Sequence, residues 1–111
     1  MKTLSKSFLL AIYFFLLIIP SCQIVPNVYL ESDPPGAQVY LIPKIELDLD
    51  SSILCDPAKL SKYLVPEGVT PVTTRAREMV YVVLFSRNGQ FVERKLDVIY
   101  GQINKAKAVF P

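Results

Sequence analysis

The sequence predicts an all-β domain: a small antiparallel β-sandwich of about six strands, with one short helix in an insertion, preceded by a cleaved signal peptide helix. Three observations carry that expectation. Short runs rich in β-branched and aromatic residues recur along residues 27–110, bounded by Pro, Gly and Asn turn signals. Asn88-Gly89 stands between two such runs and is a strong short hairpin signal. Only "AKLSKYL" (58–64) carries helical punctuation, with Asp56 and Pro57 placed ahead of it. The 111 residues allow one small domain.

Residues 1–21 read as the leader. Lys2 and Lys6 form a positive start, and Phe8 through Ile19 are twelve uninterrupted apolar residues. Twelve suits a signal-peptide core and falls short of the ~20 that span a bilayer. Ile19-Pro20-Ser21-Cys22 then runs aliphatic, variable, small, cysteine. The segment resembles a bacterial lipoprotein signal with its lipobox. That resemblance implies a diacylglycerol joined to the Cys22 thiol, cleavage before Cys22, and in many diderm bacteria an acylated amine as well. A plain signal peptide and an uncleaved single-span anchor are the alternatives. Gln23, not aspartate, follows the cysteine; by analogy with enteric-type sorting this points to the outer rather than the inner membrane. One acyl chain binds a bilayer marginally, at ~0.8 kcal/mol per buried methylene, whereas two or three hold essentially permanently.

Removing the leader changes the electrostatic reading. Lys2 and Lys6 leave with it, so the 12 Lys and Arg become ten against ten Asp and Glu, and the mature chain is formally neutral. Nothing in that balance points to nucleic acid or to an anionic surface. With Cys22 lipidated, Cys55 has no partner for a disulfide, and a buried, inert thiol is the expectation.

The strands follow in order. "NVYLES" (27–32) and "AQVYLI" (37–42) flank Asp33-Pro34-Pro35-Gly36, where Pro35 fixes φ and Gly36 can take the positive φ of a type II turn. Alternation puts Val28 and Leu30 on one face, and Ala37, Val39 and Leu41 on one face of the next strand. "TPVT" (70–73) is a short extended stretch. "EMVYVVLFS" (78–86), apolar on both faces from Met79 to Phe85, reads as a central strand covered on both sides. "FVERKLDVI" (91–99) returns from the Asn88-Gly89 turn, and "INKAKAVF" (103–110) ends the series.

Residues 43–67 interrupt this pattern. "AKLSKYL" is expected to make about two helical turns, with Leu60 and Leu64 on one face, Lys59 and Lys62 towards solvent, and Pro66 and Gly68 as the stop. Ahead of it, "ELDLDSS" (46–52) read as extended chain puts Glu46, Asp48 and Asp50 on one face, about 7 Å apart. Such carboxylates are oxygen ligands of the kind Ca²⁺ takes. The plainer reading is a solvated edge strand whose charges discourage pairing with other chains. As a surface loop, 44–66 is expected to be replaceable by a short linker with the sandwich still folded.

"SDPPGAQVYL" (32–41) resembles the opening of the PEGA domain, a small β-sandwich module of bacterial and archaeal envelope proteins. Ser32, Pro34, Pro35, Gly36, Ala37, Val39 and Tyr40 match its first element. Gly68, Thr70 and Pro71 match its Gly-x-Thr-Pro segment, and Gly89 with Phe91 approximates its Gly-aromatic turn. The likeness spans about residues 25–110 of a domain running from 22 to 111. The chain departs from it in the length of 43–67 and in having "TTRARE" (73–78) where the family often has a glycine. The resemblance implies a structural or interaction module, with no catalytic or cofactor residues.

The residues agree with that on chemistry. The chain has no histidine, which removes His-based triads, His zinc ligands and the commonest general base at neutral pH. Cys55 would be a nucleophile without an imidazole. No catalytic residue, cofactor or metal ligand is assigned, and lipidation at Cys22 is the one site expected. The leading expectation is a non-enzymatic, lipid-anchored scaffold with a membrane-proximal protein partner. The others are a module taking Ca²⁺ or glycan on residues 40–50, and a small hydrolase using carboxylates alone.

Overall fold

The structure is a computed structural model that describes residues 25–111; the leader and Cys22 lie outside the described residues. Six strands form two three-stranded sheets. The first contains β1 (Asn27–Asp33), β3 (Val72–Arg75) and β6 (Asn104–Val109) in the order β3-β1-β6. The second contains β2 (Gln38–Pro43), β4 (Val80–Arg87) and β5 (Gln90–Asp97) in the order β2-β4-β5. The predicted β-sandwich is present.

Alternation builds its core. Val28 and Leu30 of one sheet pack in a single cluster with Val39, Val83 and Phe85 of the other, and Ala37, Leu96, Ala106, Ala108 and Phe110 are among the further buried members. β6 shows the period of two without interruption: Asn104, Ala106 and Ala108 are buried while Lys105, Lys107 and Val109 are exposed.

Asn88-Gly89 makes the hairpin expected of it. Both residues have positive φ, 51° and 77°, and Arg87 pairs with Gln90 across the turn. Two other connections differ from expectation. β1 and β2 do not return on one another: Asp33 to Gly36 carries the chain from one sheet to the other. Gly36 does take positive φ, at 98°. The Ala37 N–H, which would close a type II turn, donates instead to the Thr70 hydroxyl at 2.9 Å. The sandwich also contains one parallel pair, β1 with β6, in register from Val28↔Asn104 to Asp33↔Val109. The segment after β5 crosses between sheets and so delivers β6 at the end where β1 begins.

Gly36→Val is expected to cost about 1 kcal/mol or more, since a β-branched residue is strained at positive φ. An added Cβ would meet no atom within 4 Å, so the expected cost comes from backbone strain and not from a clash of that carbon. Unchanged thermal melting of the variant would contradict that account.

β4 is buried on both faces, as its composition predicts. Tyr81, Val83 and Phe85 enter the core, while Val82 and Leu84 leave the sheet on its other side. The insertion covers that side. It contains helix α1 (Lys44–Leu49), a 3₁₀ turn (Ser51–Leu54), helix α2 (Pro57–Leu60) and a second 3₁₀ turn (Ser61–Tyr63).

The insertion overturns two expectations. Residues 44–49 are helical, not an edge strand. The alternation of Ile45, Leu47 and Leu49 that suggests a strand is not used for burial, because Ile45 and Leu49 are exposed. Nor is the insertion a dispensable loop. Its Ile53 is 4% exposed, and Ile42, Val82 and Leu84 on the sheet face beneath are buried too. Val65 belongs to the main core and its N–H donates to the Val39 carbonyl at 2.9 Å. The insertion is a third layer.

Candidate functional site

Local hydrogen bonding sets the shape of that layer. The Asp50 carboxylate accepts from the Ser52 N–H at 3.1 Å and from the Ser52 hydroxyl, capping the 3₁₀ turn that follows. Lys59 does not simply point to solvent: its ammonium donates to Asp50 at 3.0 Å and to Ser52 Oγ at 2.7 Å. The bonds from Ser52 and Lys59 hold the Asp50 carboxyl below its ordinary pKa. Asp56 accepts from the Ala58 N–H at 3.0 Å with Pro57 in the first helical position, as the sequence predicts for α2.

The helical geometry also removes the proposed row of carboxylates. Successive helical residues turn by about 100°, so Glu46 and Asp48 diverge instead of sharing a face. Asp50 is committed to Lys59 and Ser52. Among the described residues, no three His, Cys, Asp or Glu side chains gather closely enough to hold a metal ion.

A groove of about 430 Å³ opens between the insertion and the outer face of the β2-β4-β5 sheet. Tyr40, Leu84 and Phe91 line it from the three strands, and Leu54, Cys55 and Leu60 from the insertion. Phe91 is 60% exposed. The walls are mostly apolar with a few polar tips, the composition of a binding cleft rather than of an acid–base site. Cys55 is exposed here and is a free thiol among the described residues, and its exposure corrects the expectation of a buried thiol. Its position explains the exposure: it ends the Ser51–Leu54 turn, whose buried side chain is Ile53.

The residues shared with the PEGA-like pattern meet elsewhere, at the end of the sandwich where β1 passes to β2. Thr70 is 2% exposed. Its hydroxyl accepts from Ala37 N–H at 2.9 Å and Gly36 N–H at 3.2 Å, and it bonds to the Ser32 hydroxyl. Its backbone N–H donates to the Ala37 carbonyl, and its carbonyl accepts from the Gly36 N–H, both at 2.9 Å. Ser32 in turn donates to the Pro34 carbonyl at 2.8 Å. These groups satisfy one another, so the cluster is a clasp between chain segments.

The sequence therefore points to the clasp residues, but it misses the groove. Phe91 lies far along the chain from Leu54 and Leu60, and only the β4–β5 pairing brings it beside them. A signal for the groove was present in the second apolar face of β4, which requires something to cover it. No protein-family model matches this chain, and neither a curated protein nor a solved structure matches it.

Proposed function

We propose that this chain is a non-enzymatic, lipid-anchored module of the bacterial cell envelope, of PEGA type, that holds a membrane-proximal protein partner. The observation that carries the reading is the order Ile19-Pro20-Ser21-Cys22 at the end of a twelve-residue apolar run, five residues before β1. β1 is the central strand of its sheet, so a tether at Cys22 would lead within a few residues into the middle of that sheet. The clasp of Ser32, Gly36, Ala37 and Thr70 supports the PEGA likeness by supplying a physical reason for those residue types. The apolar groove supports the interaction role, because it is walled by packed secondary structure and contains no charged side chain.

Cys22→Ser tests the anchor. The wild-type protein is expected in the outer-membrane fraction of a gradient, and the variant is expected to leave that fraction with its leader uncleaved. An unchanged distribution of the variant would contradict the reading. A second reading, a module for a small ligand such as a glycan, draws on Tyr40 and Phe91 beside the groove, since aromatic side chains offer flat apolar surface. A rise in melting temperature with glycan fragments, and none with membrane partners, would favour it. The carboxylates of residues 46–50 give Ca²⁺ no comparable support.

A further inference from the structure

The strand directions collect one set of apolar side chains at a single end of the sandwich. Asn27 pairs with Arg75 and Val28 with Asn104, so β1 and β6 start there and β3 finishes there. Val80 pairs with Asp97, so β4 starts and β5 finishes at the same end. The loop 98–103 therefore sits beside the point where the chain coming from Cys22 enters the fold. It displays Ile103, 85% exposed, and Tyr100, 57% exposed, with Ile99 and Met79 partly exposed nearby.

This loop is held in shape by hydrogen bonds, chiefly those of the buried Asn104 side chain. The Asn104 side chain is 3% exposed; its Oδ1 accepts from Ile99 N–H at 2.9 Å. Its amide nitrogen donates to the carbonyls of Ile99 at 3.1 Å and Gln102 at 3.3 Å. The Glu78 carboxylate accepts from Tyr100 N–H, and Val98 N–H donates to the Met79 carbonyl at 3.0 Å. A loop so fixed keeps two large apolar side chains in solvent and prevents them from folding back onto the core. Exposed apolar groups displayed together mark a contact surface.

We propose that this end of the sandwich docks on the phospholipid bilayer, placing Ile103 and Tyr100 among the headgroups. The inference rests on the lipid anchor at Cys22 and deepens it. From Cys22 to Asn27 the fully extended chain reaches only ~17 Å, and amphipathic surfaces bury their apolar groups about 5–10 Å into the interface. The loop that shares its end of the fold with Asn27 is thus kept within contact distance of the membrane. A tyrosine beside aliphatic side chains suits this depth, since its ring is apolar and its hydroxyl remains wet. Lys44, Arg75 and Arg77 lie at the same end and offer cations to phosphate; Glu78, Asp97 and Glu46, the last lining one cleft with Arg75 and Arg77, are the opposing charges, so the apolar side chains carry the docking. Docked this way, the groove faces outward: the Ser86–Phe91 pair lies six residues, about 20 Å, along β4 from the Val80–Asp97 pair.

The chain has no tryptophan, so a single one reports its surroundings. Ile103→Trp and Phe91→Trp would be made in the full chain, extracted from membranes and reconstituted into vesicles of phosphatidylethanolamine and phosphatidylglycerol. Intact mass of the same preparations would establish acylation. The expected result is a blue shift and quenching by brominated lipid for Ile103→Trp, with no quenching of Phe91→Trp. Acylated protein in which neither tryptophan is quenched would overturn the docking and leave the anchor intact. Quenching at Phe91 with none at Ile103 would overturn the orientation. Protein without acyl mass would overturn both readings.

Discussion

Replacing residues 44–66 with a short glycine-serine linker is expected to abolish stable folding of the domain. The linker would uncover Ile42, Val82 and Leu84 on the outer sheet face and remove Val65 from the main core. Burial of an aliphatic side chain is worth about 1.5–3 kcal/mol, so exposing the three sheet residues alone forfeits roughly 5–9 kcal/mol. Domains are stable by only about 5–15 kcal/mol, and one this small belongs toward the bottom of that range. Ile53→Ala offers a milder version of the same test. It should destabilise by about 2–5 kcal/mol, as truncation of a buried isoleucine generally does. Chemical denaturation reads both. A linker variant that melts like the wild type would mean the third layer contributes nothing to the fold.

Thr70→Val is expected to be the most damaging single change at the clasp. The substitution preserves shape and removes the hydroxyl that accepts from Gly36 and Ala37 and pairs with Ser32. Gly36 N–H retains the Thr70 carbonyl as an acceptor, but Ala37 N–H is left buried without a partner. An orphaned buried donor costs about 1–3 kcal/mol. For a domain of this size that lowers the melting temperature by about 10 °C. Thr70→Ser keeps the hydroxyl and should recover most of the loss. Equal melting of the valine and serine variants would show that the hydroxyl bonds contribute little.

What was legible in the sequence was local. Alternation located the strands, Asn88-Gly89 located the hairpin, and Asp56-Pro57 located the start of α2. The clasp residues could be picked out by their likeness to a known pattern, although the bonds to the Thr70 hydroxyl join positions 33 to 38 residues apart. Residues 44–49 failed because six residues are too few to separate a period of 2 from one of 3.6. Ile45, Leu47 and Leu49 satisfy the strand pattern, and the helix that forms leaves two of them exposed. The parallel pairing of β1 with β6 depends on contacts between distant parts of the chain, which no local signal encodes, and the only sequence signal for the groove was the second apolar face of β4. Cys22 remains an inference from sequence order alone.

That inference is tested most directly by the intact mass of the protein extracted from membranes with detergent. The account predicts a chain that begins at Cys22 and exceeds the mass of its polypeptide by a diacylglycerol, with or without a further acyl group. A mature chain beginning at any other residue, or one beginning at Cys22 with an unmodified thiol, would contradict it.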